Sequence, residues 1–360
     1  MPSRYDHKSD SGRSRWITIG LVALIAAAAA FVAWAVYATR GDEIARQLKS
    51  ITVIDLPVPQ FNCPLDGTVV SSRSEARQRP VMVQIDNSPA GRPQSGLSQA
   101  DIVYEAMAEG NVTRFSAIYA CRDAEVVGPV RSARMINMEL TPQYNALLAT
   151  SGASNRVTSE LEARTDIIPN IVHHNYAGAF YRTGDRSAPH NLMTSTAAVR
   201  EAAAAAGFPV TADLRSLAFK DDEPAPAVQS IGIPYSSINN VSYQYDPGSN
   251  GWLRSINGVP HIDALTGGQL MPKNVIIQYV NTSVDPIVDD VGGSPGQLFD
   301  LIGTGPVQIF RDGLMIDGSW QRESLGEMTT YVDAAGQPIP LNRGLTFVQL
   351  VSMNFQPSVG

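Results

Sequence analysis

From Ile17 to Ala38 the chain carries no charged side chain (ITIGLVALIAAAAAFVAWAVYA). At 1.5 Å per residue a helix over this run spans roughly 33 Å, enough for a bilayer core of about 30 Å. The sequence therefore predicts a transmembrane helix over residues 17–38. Trp16, Trp34 and Tyr37 stand near its ends, where amphipathic rings favour the membrane interface. A buried core helix fits poorly with so long an uncharged run so close to the N-terminus. Arg4, Lys8, Arg13 and Arg15 precede it, and Arg40, Arg46 and Lys49 follow. The small excess of positive charge on the N-terminal side makes residues 1–16 a short cytoplasmic tail and puts the remainder outside, a single-pass topology. Two forms of the anchor stay open. Ala33-Trp34-Ala35 offers a small-x-small pattern for cleavage after Ala35; otherwise the run is retained as a signal-anchor. No cysteine directly follows the apolar run, so a lipid-attachment signal is not expected.

At 360 residues the chain is too long for one ordinary core, and 44% hydrophobic with 17% charged residues is a globular composition. A net charge of −7 argues against the basic face of a duplex nucleic-acid binder while leaving room for local basic sites, so no nucleic-acid partner is expected. The two cysteines, Cys63 and Cys121, are too few and too far apart for a zinc ribbon or a CxxC pair. Outside the membrane they are expected to form one disulfide, and the long loop it closes would constrain the unfolded state by roughly 4 kcal/mol. Two unrelated buried thiols are the alternative.

Residues 39–60 read as a tether, with a short helix over residues 42–49 and Pro57-Val58-Pro59 stiffening the chain. A mixed α/β domain is expected over residues 61–207, a linker over 208–230, and a mainly β domain over 231–356, making the fold α+β. The first half offers strands at Pro80 to Asp86, Asp101 to Glu105 and Thr113 to Cys121, and helices over Val157 to Arg164 and after Thr194 or Ser195. The second half has only short strands set between Gly, Pro, Asn and Asp turns.

Gly128-Pro129-Val130-Arg131-Ser132-Ala133-Arg134 is the densest candidate for binding. If Ser132 caps a helix, its free backbone N–H groups and two guanidinium groups on one helix face converge on a single anion. A ligand site is expected from Arg114, Arg131, Ser132, Arg134, Ser154, His174, Arg186, His190 and Asn191. His190, Asp86 and Glu105 are the acid/base candidates. The alternative is that the arginines pair with Asp86, Glu105 or Glu109 and only fix loops. Ser132 or Ser154 with a histidine and Asp86 could be written as a triad, yet neither serine sits in a Gly-x-Ser-x-Gly elbow. His173, His174 and His190 lack metal-ligand spacing, so neither a metal nor another cofactor is expected. Asp285 and Asp289-Asp290 lack EF-hand spacing and read as a solvated turn. Trp252 and Trp320 read as core residues before sugar platforms.

Longer words carry a resemblance. Arg92-Pro93-Gln94-Ser95-Gly96-Leu97, Ala100-Asp101-Ile102-Val103-Tyr104-Glu105, Thr113-Arg114-Phe115, the Gly128–Arg134 turn and Ala188-Pro189-His190-Asn191-Leu192 follow one another in order. Through them residues 80–195 resemble the YerB-like family of bacterial envelope proteins, two-domain proteins of unknown function that are often lipoproteins. Gly251-Trp252-Leu253-Arg254, Asp263 with Thr266-Gly267, Asn274-Val275-Ile276 and Gly318-Ser319-Trp320 extend the likeness more loosely. Two departures stand out: an apolar anchor replaces the lipid-bearing cysteine, and Gly152-Ala153-Ser154 replaces Gly-Gly-Ser. The resemblance implies a location and an architecture and supplies no reaction. The leading expectation is a non-enzymatic, membrane-anchored protein that binds an anionic ligand, a cell-wall polymer or an envelope protein. A cell-envelope hydrolase or transferase using His190 or a carboxylate is the alternative, and a ligand-free scaffold the third.

Overall fold

A computed structural model describes residues 11–49, 60–288 and 293–360. Two compact units divide the chain at Pro59 and Gln60. In the first, a helix (α1, Ser11–Lys49) runs unbroken, so residues 42–49 continue it and do not form a separate short helix. Ala23–Gly41 is long and apolar enough to cross a membrane. Its large side chains are exposed, Phe31, Trp34 and Tyr37 among them.

The second unit is α+β and is built on one ten-stranded sheet. Its first-half strands are β1 (Val81–Asp86), β2 (Ile102–Met107), β3 (Thr113–Tyr119), β4 (Leu147–Thr150) and β5 (Asn170–Val172). The helices of this half are α2 (Ile136–Gln143), α3 (Asn155–Glu162) and α4 (Thr196–Ala205). A second set follows: β6 (Ser230–Ser236), β7 (Asn239–Asp246), β8 (Gly251–Ile256), β9 (Asn274–Val280), β10 (Gly303–Arg311), β11 (Leu314–Arg322), β12 (Thr330–Val332) and β13 (Thr346–Ser352). The large sheet has the order β12-β11-β10-β9-β13-β2-β3-β1-β4-β5. Strand β13, near the end of the chain, inserts in parallel between β9 and β2, so strands of both halves join one hydrogen-bonded sheet.

Period-two alternation decides which core each residue joins. Val81, Val83 and Ile85 of β1 enter one cluster with Phe115, Tyr119 and α4's Val199 and Ala203. Met82 points the other way, to Ile118, Leu148 and the helix residues Leu140, Val157 and Leu161. Every residue of β1 is buried because both faces are covered. Farther along, β6, β7 and β8 form a smaller antiparallel sheet that packs Ile233, Val241, Tyr243 and Trp252 against Val275, Ile277 and Phe310 of the large one. Trp252 and Trp320 are both buried.

Residues 208–230, read as a linker, are stitched to this body. Phe219–Lys220 pairs in parallel with Leu341–Asn342, and Asp312 takes Lys220 Nζ at 2.9 Å and the Glu223 amide at 3.1 Å. Cys63 and Cys121 form a disulfide. Between the halves lies a buried polar chain. Arg254 donates to Glu105 (2.9 Å), to Tyr243 Oη (2.9 Å) and to His261 Nδ1 (2.9 Å), and its guanidinium stacks against Phe115, Tyr243 and Phe347. Because Arg254 has no acceptor, His261 Nδ1 must be bare, and its Nε2–H donates to Gln94 Oε1 at 2.6 Å. Burial and the neighbouring Arg254 charge hold His261 well below its usual pKa, consistent with a neutral ring.

Candidate functional site

The arginine turn is extended, not helical. Arg131 N donates to Gln84 O (2.8 Å), Asp86 N to Pro129 O (2.9 Å), and Val130 bridges Ile85, so the segment continues the sheet beside the end of β1. The peptide bonds before Pro93, Pro129 and Pro189 are cis. Helix α2 begins only at Ile136, after Met135, and no side chain caps it. Ser132 is therefore no N-cap, and the amides expected to face an anion are used: Ala133 N on Gly152 O (2.8 Å) and Arg134 N on Asn137 Oδ1 (2.8 Å). Three residues apart on extended backbone, Arg131 and Arg134 point to opposite sides. Arg131 reaches Asp86, and Arg134 pairs with Glu109.

Asp86 ends β1 with no exposed surface and gathers four partners. His190 Nδ1 lies 2.6 Å from Oδ2, the Ser88 amide 2.9 Å from Oδ1, Arg114 NH1 3.4 Å from Oδ1 and Arg131 Nε 3.6 Å from Oδ2. Burial alone raises this carboxyl's pKa, but Arg114, the Ser88 amide, His190 and Arg131 together hold it below the usual carboxylate range. It is an anion, so His190 Nδ1 carries the hydrogen between them and Nε2 is the basic nitrogen of the neutral ring. Ser88 Oγ lies 3.3 Å from the same Nδ1, on the side away from that basic nitrogen, where it does not complete a triad. Gly91 packs directly on the carboxylate: a Cβ there would stand 2.7 Å from Asp86 Cγ.

Beside Asp86, on the same face of the sheet, a cleft of about 140 Å³ opens between β1, β3, the extended turn and α3. Arg114, Ser132, Arg134 and Ser154 line it, four of the residues expected at the site, together with Gln84, Glu109 and Asp285. Ser154 also caps α3 by accepting from Val157 N. Met107, Met135, Val157 and Phe299 supply its apolar wall. Asp285 is nearly buried and pairs with Arg156, with the Ile287 amide 3.0 Å from Oδ1. That corrects the reading of Asp285 as a solvated turn; Asp289-Asp290 lie outside the described residues.

The other expected residues stand apart. Glu105 has no exposed surface and is saturated by Arg254, Asn87 (3.0 Å) and Thr113 (2.8 Å), which makes it a cross-link and leaves it no access as an acid or base. Arg186 donates to Gly91 O (2.8 Å) and Pro93 O (2.9 Å) and so fixes the loop over Asp86. Asn191 is buried and donates to Thr183 O (2.9 Å) and Arg186 O (3.0 Å), holding the His190 loop closed. His174 is exposed and lines a separate depression with Gly152, Asn170 and Phe208. Gln84, Asn137 and Arg156 were not singled out from the sequence. For Gln84 the signal was present: a polar residue at the inward phase of an otherwise apolar strand.

Comparison with known proteins matches the chain in two stretches. Residues 65–209 match the N-terminal domain, and residues 231–348 the C-terminal domain, of a protein family of unknown function, DUF3048. The chain is 32% identical over 298 residues, 81% of its length, to the Bacillus subtilis (strain 168) protein described as "Putative lipoprotein YerB", of which it covers 86%. The crystal structure of YerB from Bacillus subtilis superposes with a TM-score of 0.73 at 30% identity, covering 83% of this chain and 99% of that one.

Proposed function

The chain belongs to the DUF3048, or YerB-like, family, and from that premise we propose that it is a membrane-anchored extracytoplasmic protein that binds an anionic envelope ligand of the cell-wall polymer class. Residues 17–38 hold it in the cell membrane as a single pass, residues 1–16 face the cytoplasm, and the unit from residue 60 onward stands outside. The reading draws its support from an apolar helix on the one side and a lipoprotein relative on the other: two different devices for the same attachment. Labelling of single cysteines placed in residues 1–16 and in an exposed loop of the second unit, in intact cells, tests the orientation.

The observation that carries the binding reading is the charge balance around Asp86. Arg114 and Arg131 both face this one buried carboxylate, and Arg114 extends from it into the neighbouring cleft with Arg134, Ser132 and Ser154. A surplus of guanidinium in a half-buried recess favours an anion. Co-sedimentation of the full chain, in detergent, with purified cell-wall sacculi carrying and lacking their anionic polymers tests it. Retention on the first and not the second is expected, and equal behaviour on both overturns it.

One distance favours a second reading, an envelope hydrolase or transferase. With His190 Nδ1 bound to Asp86 at 2.6 Å, the opposite ring nitrogen is available as a general base, in the manner of an aspartate-oriented histidine. Release of soluble fragments from sacculi by the wild-type chain and not by His190→Ala, with both folded, is the outcome this reading requires.

A further inference from the structure

Gln84 is a polar side chain in the middle of a buried strand, 1% exposed, and one end of it is satisfied while the other is not. Which end is which follows from its neighbours. The Arg134 backbone N–H donates to Asn137 Oδ1 at 2.8 Å, which turns the Asn137 amide nitrogen toward β1. Asn137 Nδ2 then donates to Gln84 Oε1 at 3.0 Å, and Ser116 Oγ donates to the same oxygen at 2.7 Å. The backbone N–H has only one polarity, so the chain of bonds fixes the Gln84 amide with its oxygen toward Ser116 and Asn137 and its nitrogen turned away from them. Gln84 Nε2 is buried and bonded to nothing, and Gln84 lines the cleft.

Arg114 supplies a second such donor. Its NH1 is engaged with Asp86 and donates to Thr113 O at 3.2 Å, but Nε is buried without a hydrogen-bond acceptor, and the residue lines the same cleft. A buried donor without an acceptor is costly, and more so when it is charged. Both donors belong to residues that line one cleft. The acids that also line the cleft pair elsewhere, Glu109 with Arg134 and Asp285 with Arg156, and neither is hydrogen-bonded to Gln84 Nε2 or Arg114 Nε. Next to the donors the wall is apolar, from Met107, Met135, Val157 and Phe299.

We infer that the cleft between β1, β3 and α3 is a subsite for a carboxylate carried on a short apolar stem, its oxygens accepting from Gln84 Nε2 and Arg114 Nε and its stem lying against the methionines and Phe299. This rests on the binding reading and names the part of the ligand that the cleft takes.

The test is calorimetric titration of the full chain in detergent with acetate, butanoate and hexanoate, with butanamide and butylamine as controls. Saturable binding that tightens from acetate to butanoate is expected, at least tenfold weaker for the amide and absent for the amine. Gln84→Met removes the donors without adding charge; Gln84→Glu keeps the oxygen that Ser116 and Asn137 bond and replaces the donor with a second acceptor. Each is expected to weaken butanoate at least tenfold. Absence of saturation, an amide as tight as the acid, or butanoate binding unchanged in both variants overturns the inference. Should neither variant fold, the acid-against-amide comparison on the wild type decides. Retention on sacculi that ignores Gln84 substitution overturns the subsite and leaves the binding reading standing, whereas no retention by the wild type removes that reading whatever the titrations show.

Discussion

Nδ1 of His190 lies 2.6 Å from Oδ2 of Asp86, a carboxylate with no exposed surface at the end of a central strand. The pair ties the Ala188-Pro189-His190-Asn191 loop to the sheet, and Asp86 also answers Arg114 and Arg131. Replacing Asp86 by Asn leaves two guanidinium groups facing a neutral amide, at an expected cost of about 3–5 kcal/mol near pH 7. The native carboxyl titrates below its unfolded value, so its stabilisation is complete above about pH 4 and is lost as pH falls through the folded value. Urea unfolding of wild type and Asp86→Asn at pH 7 and at pH 3 should show the gap between them closing at the lower pH.

Arg254 and Glu105 form a pair in which neither side chain has exposed surface. Burial disfavours the Arg254 charge, but Glu105 and Tyr243 more than offset it and the guanidinium is held protonated. Arg254→Met keeps the packing against Phe115, Tyr243 and Phe347 but leaves the buried Glu105 without its guanidinium partner, so a loss of about 3–5 kcal/mol is expected. Adding Glu105→Gln should recover a large part of it. A double-mutant cycle in urea measures the recovery, and additive losses would show that the two act independently.

What the sequence discloses here is local or chemical, and what it conceals is the partnering of distant segments. The β1, β2 and β3 strands show in their apolar runs, and the Ser154 and Ser195 caps show in residue type, because each depends on neighbours in the chain. The arginine turn misleads for the opposite reason: Ser132 followed by Met135 and Met138 has the residues of a helix start, but backbone bonds to Gln84 and Gly152, neither close in sequence, hold it extended. Asp86, Arg114, Arg131 and His190 meet in one cluster, whereas Glu105 is taken by Arg254, 149 residues away. Nothing near Glu105 in the chain announces that partner. Gln84 is the instructive omission, since a buried amide in an apolar strand needs partners, and counting them exposes the one that is lacking.

The Cys63–Cys121 bond closes a separation of 58 residues and pins the segment before β1 to the residues that follow β3. In the chain-entropy model such a loop contributes roughly 4 kcal/mol by restricting the unfolded chain. Cys63→Ala with Cys121→Ala should lower the unfolding free energy by an amount of that order without altering the circular dichroism of the folded state. Non-reducing intact-mass measurement checks the premise: the wild type should be two hydrogens lighter than its reduced form.

Asp101 predicts an opposite dependence on pH. It has no exposed surface, it sits beside Asp66, and burial with the Asp66 charge pushes its carboxyl up to about 8 against the pull of the Ala120 amide and Arg122. An unfolded Asp ionises near 3.9, so between about pH 4 and pH 8 the folded chain holds a proton that the unfolded chain has released. Stability from this group is therefore full below about pH 4 and falls as pH rises, by at most about 1.4 kcal/mol per pH unit, levelling off above about pH 8. The window lies above the one in which Asp86 acts, so the two are separable in a single pH series. Asp101→Asn retains an oxygen for the Ala120 N–H, which stands 2.5 Å from Oδ2, and offers Asp66 a permanent donor in place of the shared proton. The wild type should lose stability relative to that variant between pH 5 and pH 8, a comparison that cancels buried His261, whose own contribution rises with pH in the lower part of the interval. Parallel slopes in the two proteins would mean that Asp101 is ionised in the folded state and that Arg122 outweighs its burial.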